Sequence, residues 1–222
     1  MKHLHLVTLL SVLLAFIGDA AVAGEISFGV KTGMIMSNIT ETPREWDDAK
    51  SYKAGFTGGV FLNYAFDEHF SIEPELLYTM KGFKGSLYDG FVSVDLTACF
   101  DYFEMPVLAT YSFMAHDRFR PRVFAGPMFA YNFGSELEVS VGPLGASVDL
   151  SSLTHVTDFG IVAGAGFDYS IGQGMLTFDV RYQRAFTNVI MSGDFEINGS
   201  TQTISEDDFK NYGFAVMVGY GF

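Results

Sequence analysis

Eight charged residues carry types and spacings that could do chemistry: Lys31, Glu73, Glu75, Lys81, Glu104, Arg122, Asp179 and Arg181. Each occupies a segment in which every second residue is large and apolar, and each falls at one of the other positions. A period of two is that of a β-strand, so all eight are set on the face opposite the apolar one. Carboxylates gathered this way could form an acid–base pair, or a path for protons or ions. They could equally neutralise one another as a salt-bridged plug, since buried charges persist only when paired and hydrogen-bonded. The plug is the expected outcome, with no catalytic residue among the eight. Glu73 and Glu75, two apart on one face, repel each other and require a Lys or Arg nearby. Which base that is depends on strand register, which the sequence leaves open.

Other chemistry is sparser. Ser151, Ser152, His155 and Asp158 have the residue types of a nucleophile, base and acid, but Ser and Asp are common in loops and closeness in sequence is weak support. His69 and His116 fall in short turns, and His3 and His5 in the leader. Glu206-Asp207-Asp208 offers carboxylates to a cation without the spacing of a calcium loop, so neither a metal nor a cofactor is expected. The net charge of −13 argues against nucleic acid as a partner, because phosphate binding needs a basic surface.

The elements that must hold these residues are strands. Eight are expected, over about 25–38, 53–66, 70–84, 96–113, 119–133, 157–169, 175–186 and 212–222. Their apolar sets include Phe28, Val30 and Met34; Phe103, Met105 and Val107; Phe159 and Ile161; and Phe214, Val216, Val218 and Tyr220. Residues 39–52, 85–95, 134–156 and 187–210 are expected as long connections, the third extending the barrel as a hairpin. Asp67–His69, Met114–Arg118 and Ile171–Gly174 are short turns. Pro74, Pro106, Pro121 and Pro127 each remove a ladder donor and are expected to mark bulges.

The chain opens on Met1-Lys2-His3, an apolar run from Leu6 to Ile17, and Ala21-Val22-Ala23. That is the pattern of a secretory signal peptide over residues 1–23, leaving residues 24–222 as one domain. Cys99 is the sole cysteine, so no internal disulfide forms. Hydrophobic residues make up 49 % and aromatics 16 %, yet no later segment is apolar for the length of a membrane helix. An eight-stranded interior is just filled by side chains, and the bulky set is too large for it, whereas the Gly, Ser and Thr set fits. The apolar face therefore points at lipid. The expectation is an all-β, eight-stranded, antiparallel, transmembrane up-and-down barrel.

Gly29-Val30-Lys31-Thr32-Gly33, Gly55-Phe56-Thr57-Gly58-Gly59-Val60, Ser71-Ile72-Glu73-Pro74-Glu75-Leu76-Leu77-Tyr78, Phe103-Glu104-Met105-Pro106 and Ala125-Gly126-Pro127 resemble the outer-membrane β-barrel domain family that includes PorT-type proteins. The resemblance spans about Gly24 to Phe222. It implies a barrel in the outer membrane of a Gram-negative cell, with long loops outside and short turns in the periplasm. Its motifs are structural and carry no activity, so a PorT-like role in secretion does not transfer. In such a cell the acceptor patterns at Asn38 and Asn198 are not expected to carry glycans. The expected function is a non-catalytic structural or surface-interaction barrel; a small-ligand or ion-translocating barrel and a lipid-modifying enzyme are the alternatives. Expected partners are outer-membrane lipids, the barrel-assembly machinery and an unidentified extracellular or periplasmic protein. Trp46, alone among charges, is the candidate loop contact or a headgroup-level anchor.

Tyr220 and Phe222 resemble the closing signal of such barrels, which implies recognition by the assembly machinery. Deleting Val218–Phe222 would also leave strand-edge groups unpaired in lipid, at several kcal/mol each by order of magnitude. The truncated protein is expected to be depleted from the outer membrane; normal levels in a membrane fractionation would contradict this.

Overall fold

The computed structural model describes residues 25–40, 50–88, 93–114, 118–142, 144–151, 154–189, 193–197, 200–204 and 209–222. The signal-peptide expectation, Trp46, His116, Ser152 and Glu206-Asp207-Asp208 fall outside them. Among the described residues eleven strands follow in chain order: β1 (Glu25–Ile39), β2 (Lys50–Ala65), β3 (Phe70–Tyr88), β4 (Ser93–Ser112), β5 (Phe119–Val141), β6 (Leu144–Asp149), β7 (Thr157–Ile171), β8 (Gly174–Asn188), β9 (Gly193–Ile197), β10 (Ser200–Ile204) and β11 (Lys210–Gly221). Eight of them close in the order β4-β3-β2-β1-β11-β8-β7-β5, with β5 pairing back onto β4 and β6 added outside β5. Every barrel pairing is antiparallel. The Phe222 N–H bonds the Phe28 carbonyl at 2.8 Å and completes the seam.

Register fixes the shape. From Lys31 the ladder runs one way through Gly59, Leu77 and Glu104 to Ala130 on β5. The other way it runs through Gly219, Thr177 and Asp168 to Arg120, also on β5 and ten residues away. A stagger of ten over eight strands tilts the strands roughly 40° to the barrel axis, given the ordinary rise per residue and strand spacing.

The outward face is apolar throughout: Phe28, Val30, Met34, Val60, Val107, Val123, Ile161, Val180, Val216 and Val218 are all exposed. Water would not tolerate such a surface. Aromatic rings gather in two belts. At the turn end Phe28 stacks on Phe222 (5.5 Å), Phe70 meets Tyr111 (4.9 Å) and Phe119 meets Phe167 (5.0 Å). At the loop end Phe103 stacks on Phe133 (4.7 Å) and Tyr182 meets Phe214 (5.0 Å). Belts of this kind sit at the two interfaces of a bilayer.

Several expected boundaries give way. The connection expected over 85–95 shrinks to 89–92, because β3 and β4 keep pairing up to Tyr88 and Ser93. β2 starts at Lys50 and β11 at Lys210, ahead of their apolar alternation. Residues 187–210 hold the paired strands β9 and β10 rather than only a loop. The expected hairpin over 134–156 does form, as β5 running on to Val141 and returning as β6. Sheet pairing is satisfied here by backbone alone, so polar strands propagate past the apolar pattern that announces a strand. The prolines mark no bulge. Register shifts occur instead at Tyr52/Thr57, Asp101/Tyr102 and Lys210/Tyr212. Opposite Pro106 and Pro127 the ladder skips a few pairs and resumes unshifted; a missing donor costs a bond without adding a residue.

The β2–β3 turn is tied by Asp67, whose Oδ1 accepts the N–H of His69 (2.7 Å) and of Phe70 (2.8 Å), as Asp does in tight turns. Those bonds hold its carboxyl below the ordinary value of 3.8. A depressed pKa stabilises the fold above the unfolded value and ceases to do so as pH falls through the folded one. Asp67→Asn is therefore expected to lower the thermal midpoint at pH 7 and to converge with the wild type in strong acid, checked by melting in detergent across pH.

Candidate functional site: a charged plug across the lumen

Inside the barrel, alternate positions place large side chains opposite glycines. Lys31 has Gly59 on one neighbouring strand and Gly219 on the other. Arg122 faces Gly166, which also faces Asp179; Gly164 faces both Phe124 and Arg181. An eight-stranded tube is just filled by side chains, so the positions beside a long one on neighbouring strands must be small. A Cβ at Gly164 would come within 2.6 Å of the Phe124 ring, and one at Gly219 within 2.7 Å of the Lys31 side chain.

The space so left is filled by ions. Lys31 Nζ reaches Glu73 at 2.5 Å, Glu75 at 2.9 Å and Asp179 at 3.0 Å. An ammonium has three protons, and all three are used. Arg122 bridges Asp179 (2.6 Å), Glu73 (3.2 Å) and Asp168 (3.2 Å). Arg181 takes both oxygens of Glu75 (2.7 and 3.1 Å) and one of Asp179 (2.9 Å), the two-pronged geometry that suits a guanidinium. Asn63 adds a bond to Glu73 at 3.3 Å. All of these charged groups are buried.

Around the closed ring, β1 lies opposite β5 and β3 opposite β8. Lys31, Arg122, Glu73/Glu75 and Asp179/Arg181 come from those four strands, so the network spans the tube crosswise. Nearer the loops, Lys81 pairs with Glu104, which also accepts Thr79 Oγ1 at 2.9 Å and Gln183 Nε2 at 3.4 Å. Aromatic faces line the cations: Phe61 under Lys31 (4.7 Å), Tyr102 under Lys81 (5.4 Å), and Phe124 against both arginines (5.4 Å). Such contacts favour a desolvated cation.

Above the plug, Ala98, Phe100, Tyr102, Ala130 and Val189 pack into an apolar cluster with Phe83 and Leu137. Below it lies a polar vestibule of about 460 Å³, open at the turn end and lined by Glu25, Asn63, His69, Arg120, Arg122 and Asp168 among others.

All eight charges expected on the inner face are there, and the structure adds what register alone decides: who meets whom. Asp168, Asp158 and Lys53 are buried too; for the two aspartates, parity on β7 was the available signal. The carboxylates of Glu73, Glu75 and Asp179 lie within 4.8 Å of one another, close enough for a metal ion, but Lys31 occupies that point. His155, Ser151 and Asp158 do not assemble. The His155 N–H bonds the Val189 carbonyl, Ser151 Oγ accepts the Ser135 N–H, and no hydrogen bond joins the three among the described residues. Tyr220 and Phe222 pack edge to face at 5.0 Å on the outer surface of the turn end.

A family model described as outer membrane protein beta-barrel domain matches residues 19–191. No curated protein matches the chain. Among solved structures, it is similar to Neisserial surface protein A (11 % identity, 89 % of this chain and 97 % of that one, TM-score 0.46). It is also similar to Ail of Yersinia pestis (12 %, 89 % and 99 %, 0.40) and to OprG of Pseudomonas aeruginosa (13 %, 90 % and 95 %, 0.49).

Replacing Lys31 by Ala leaves Glu73, Glu75 and Asp179 with only the two guanidinium groups to balance them. Removing one partner of a buried ion cluster costs about 3–5 kcal/mol. Lys31→Ala is expected to lower the urea midpoint of the detergent-folded barrel accordingly, and Lys31→Ala with Glu75→Gln to recover part of the loss.

Proposed function

We propose that this chain, which belongs to the outer membrane protein β-barrel domain family, serves as a non-catalytic, surface-interaction barrel of a Gram-negative outer membrane, its short turns toward the periplasm and its long connections outside the cell. The observation that carries this reading is the plug. The lumen is crossed by paired charges and capped by the cluster around Tyr102 and Val189. A tube closed by charges that neutralise one another at close range in a low-dielectric interior has little to offer an ion. What remains available for function is the part beyond the bilayer, including the acidic connections and Trp46 as a contact residue.

Lumen charges in this reading are structural, and Tyr220 and Phe222 serve assembly. Outer-membrane lipids and the assembly machinery are then obligatory partners, and the external one is a protein. A PorT-type role draws no support from the plug. The separation of Ser151, His155 and Asp158 weighs against a lipid-modifying enzyme. The vestibule favours a second reading, a barrel that holds or passes a small polar ligand from the turn side.

Purified protein in planar bilayers is expected to give a flat trace. Reproducible ion-selective steps that change on neutralising Glu104 or Arg122 would favour translocation instead. In parallel, adhesion of cells displaying the protein to protein-coated surfaces is expected to fall when Glu45-Trp46-Asp47-Asp48 is replaced by Gly and Ser, with the heat-modifiable gel shift of the barrel unchanged.

A further inference from the structure

The strands do not end together. β3, β4 and β5 run 19, 20 and 23 residues against 12 for β11, whereas a tilted membrane strand needs about 9–11. The excess stands above one side of the barrel as a sheet that ends in β6. This strand pairs only with β5 in the sheet, and all six of its residues are exposed. Its ladder has a definite parity. The Leu150 N–H bonds the Ser135 carbonyl at 2.9 Å, so Leu144, Ala146 and Val148 aim their backbone groups at β5. Gly145, Ser147 and Asp149 aim theirs outward, where no backbone partner lies among the described residues. An open edge of this kind is normally shielded by Lys, Pro or a bulge; none lies within β6.

The two faces of this projection differ chemically. Through the bulge at Asp101/Tyr102, Glu136 and Glu138 of β5 share one face with Asp95 of β4 and Asp149 of β6, as their cross-strand partners Cys99, Thr97, Ser140 and Glu136 require. Hydrogen bonds from Ser151 hold the Asp149 carboxyl below its usual range, so it is ionised. Over Ser93–Asp101 of β4, through β5 beyond Asn132 and along β6, no Lys or Arg occurs; the nearby bases, Lys53 and Lys84, belong to β2 and β3. The other face is Leu137, Val139 and Val141 against Val148, Ala146 and Leu144, with Leu144 75 % exposed.

We propose that the free edge of β6 binds an extended protein segment in which basic and apolar residues alternate, added as a further antiparallel strand. Main-chain bonds to Gly145, Ser147 and Asp149 supply affinity, and alternate side chains supply selectivity. Basic residues fall on the acidic face and apolar ones beside Leu144 and Val148. A second copy of this chain fits less well, since two β6 strands paired about Ser147 would bring the acidic faces of both copies together. This inference rests on the surface-interaction reading and names the partner's chemistry.

The test uses the full-length protein in phosphatidylcholine nanodiscs and fluorescein-labelled heptapeptides read by anisotropy. Lys-Val-Lys-Val-Lys-Val-Lys is expected to bind, and the same residues in block order to bind about tenfold more weakly, because only alternation serves both faces. Ser147→Pro removes an outward N–H without touching the β5 ladder and should weaken the alternating peptide about tenfold. Glu136→Gln with Glu138→Gln should weaken it about fivefold and flatten its salt dependence. Equal binding of the block peptide or of Glu-Val-Glu-Val-Glu-Val-Glu overturns the proposal, as does indifference to Ser147→Pro in a protein that keeps its gel shift. A Ser147→Pro-sensitive dimer in light scattering overturns it in favour of a second copy. If Ser147→Pro leaves the cell adhesion described above intact, the edge is the wrong site while the surface-interaction reading stands; if adhesion is absent in the wild type, that reading fails by itself.

Discussion

Everything inside this barrel depends on the three-way contact of Lys31 with Glu73, Glu75 and Asp179. Seven buried charged side chains, counting Arg122, Arg181 and Asp168, share one level of the tube. Removing any one of the three bases leaves carboxylates that the interior cannot solvate. The glycines at positions 59, 164, 166 and 219 are the other half of the same constraint, because long side chains fit a narrow tube only where their neighbours have none. Ions and glycines together explain why an inner face that looks merely small and polar in sequence is fully packed.

Stability is not the clearest gain from such a cluster, since apolar side chains of the same volume often do as well. Register is. A strand whose inner face is all Gly, Ser and Thr slides easily, and a one-residue slip would turn the charges to lipid. A two-residue slip of β8 keeps the faces but separates Arg181 from Glu75 and Asp179 from Arg122. By tying β1, β3, β5 and β8 crosswise, the network makes one stagger far better than its neighbours. In lipid, where no hydrophobic force drives apolar surfaces together, that discrimination has to come from inside.

Much of this was legible because parity in a strand is unforgiving. The alternation of Phe214, Val216, Val218 and Tyr220 with Gly213, Ala215, Met217 and Gly219 fixes which face is which, and the same reading on β1, β3, β5 and β8 put Lys31, Glu73, Glu75, Arg122, Asp179 and Arg181 inside. It could not pair them. The partners are up to 148 residues apart in sequence, as Lys31 and Asp179 are, and their meeting follows from a stagger that no local pattern encodes. Strand ends were hidden for a different reason. Lys50–Tyr52, Ser86–Tyr88 and Ser93–Asp95 are short runs of mixed polarity without a sustained alternation, so their side chains do not announce a strand; their backbones are recruited by the strands beside them.

That recruitment also explains the asymmetry at the loop end. A barrel in a bilayer needs its strands only as long as the apolar band, and β11 stops close to that length. β3, β4 and β5 continue because each has a neighbour to bond with on leaving the membrane: β3 and β4 stay paired to Tyr88 and Ser93, and β4 and β5 to Val94 and Val141. The process stops only at a strand with a neighbour on one side. Here that strand is β6, closed by a two-residue turn through Gly142, whose φ of 58° suits the twist of a tight hairpin. Closure of the barrel removes every edge within the membrane and leaves edges only beyond it, that of β6 among them. The same rule that forbids an open strand in lipid thus leaves an unpaired one where a partner can reach it.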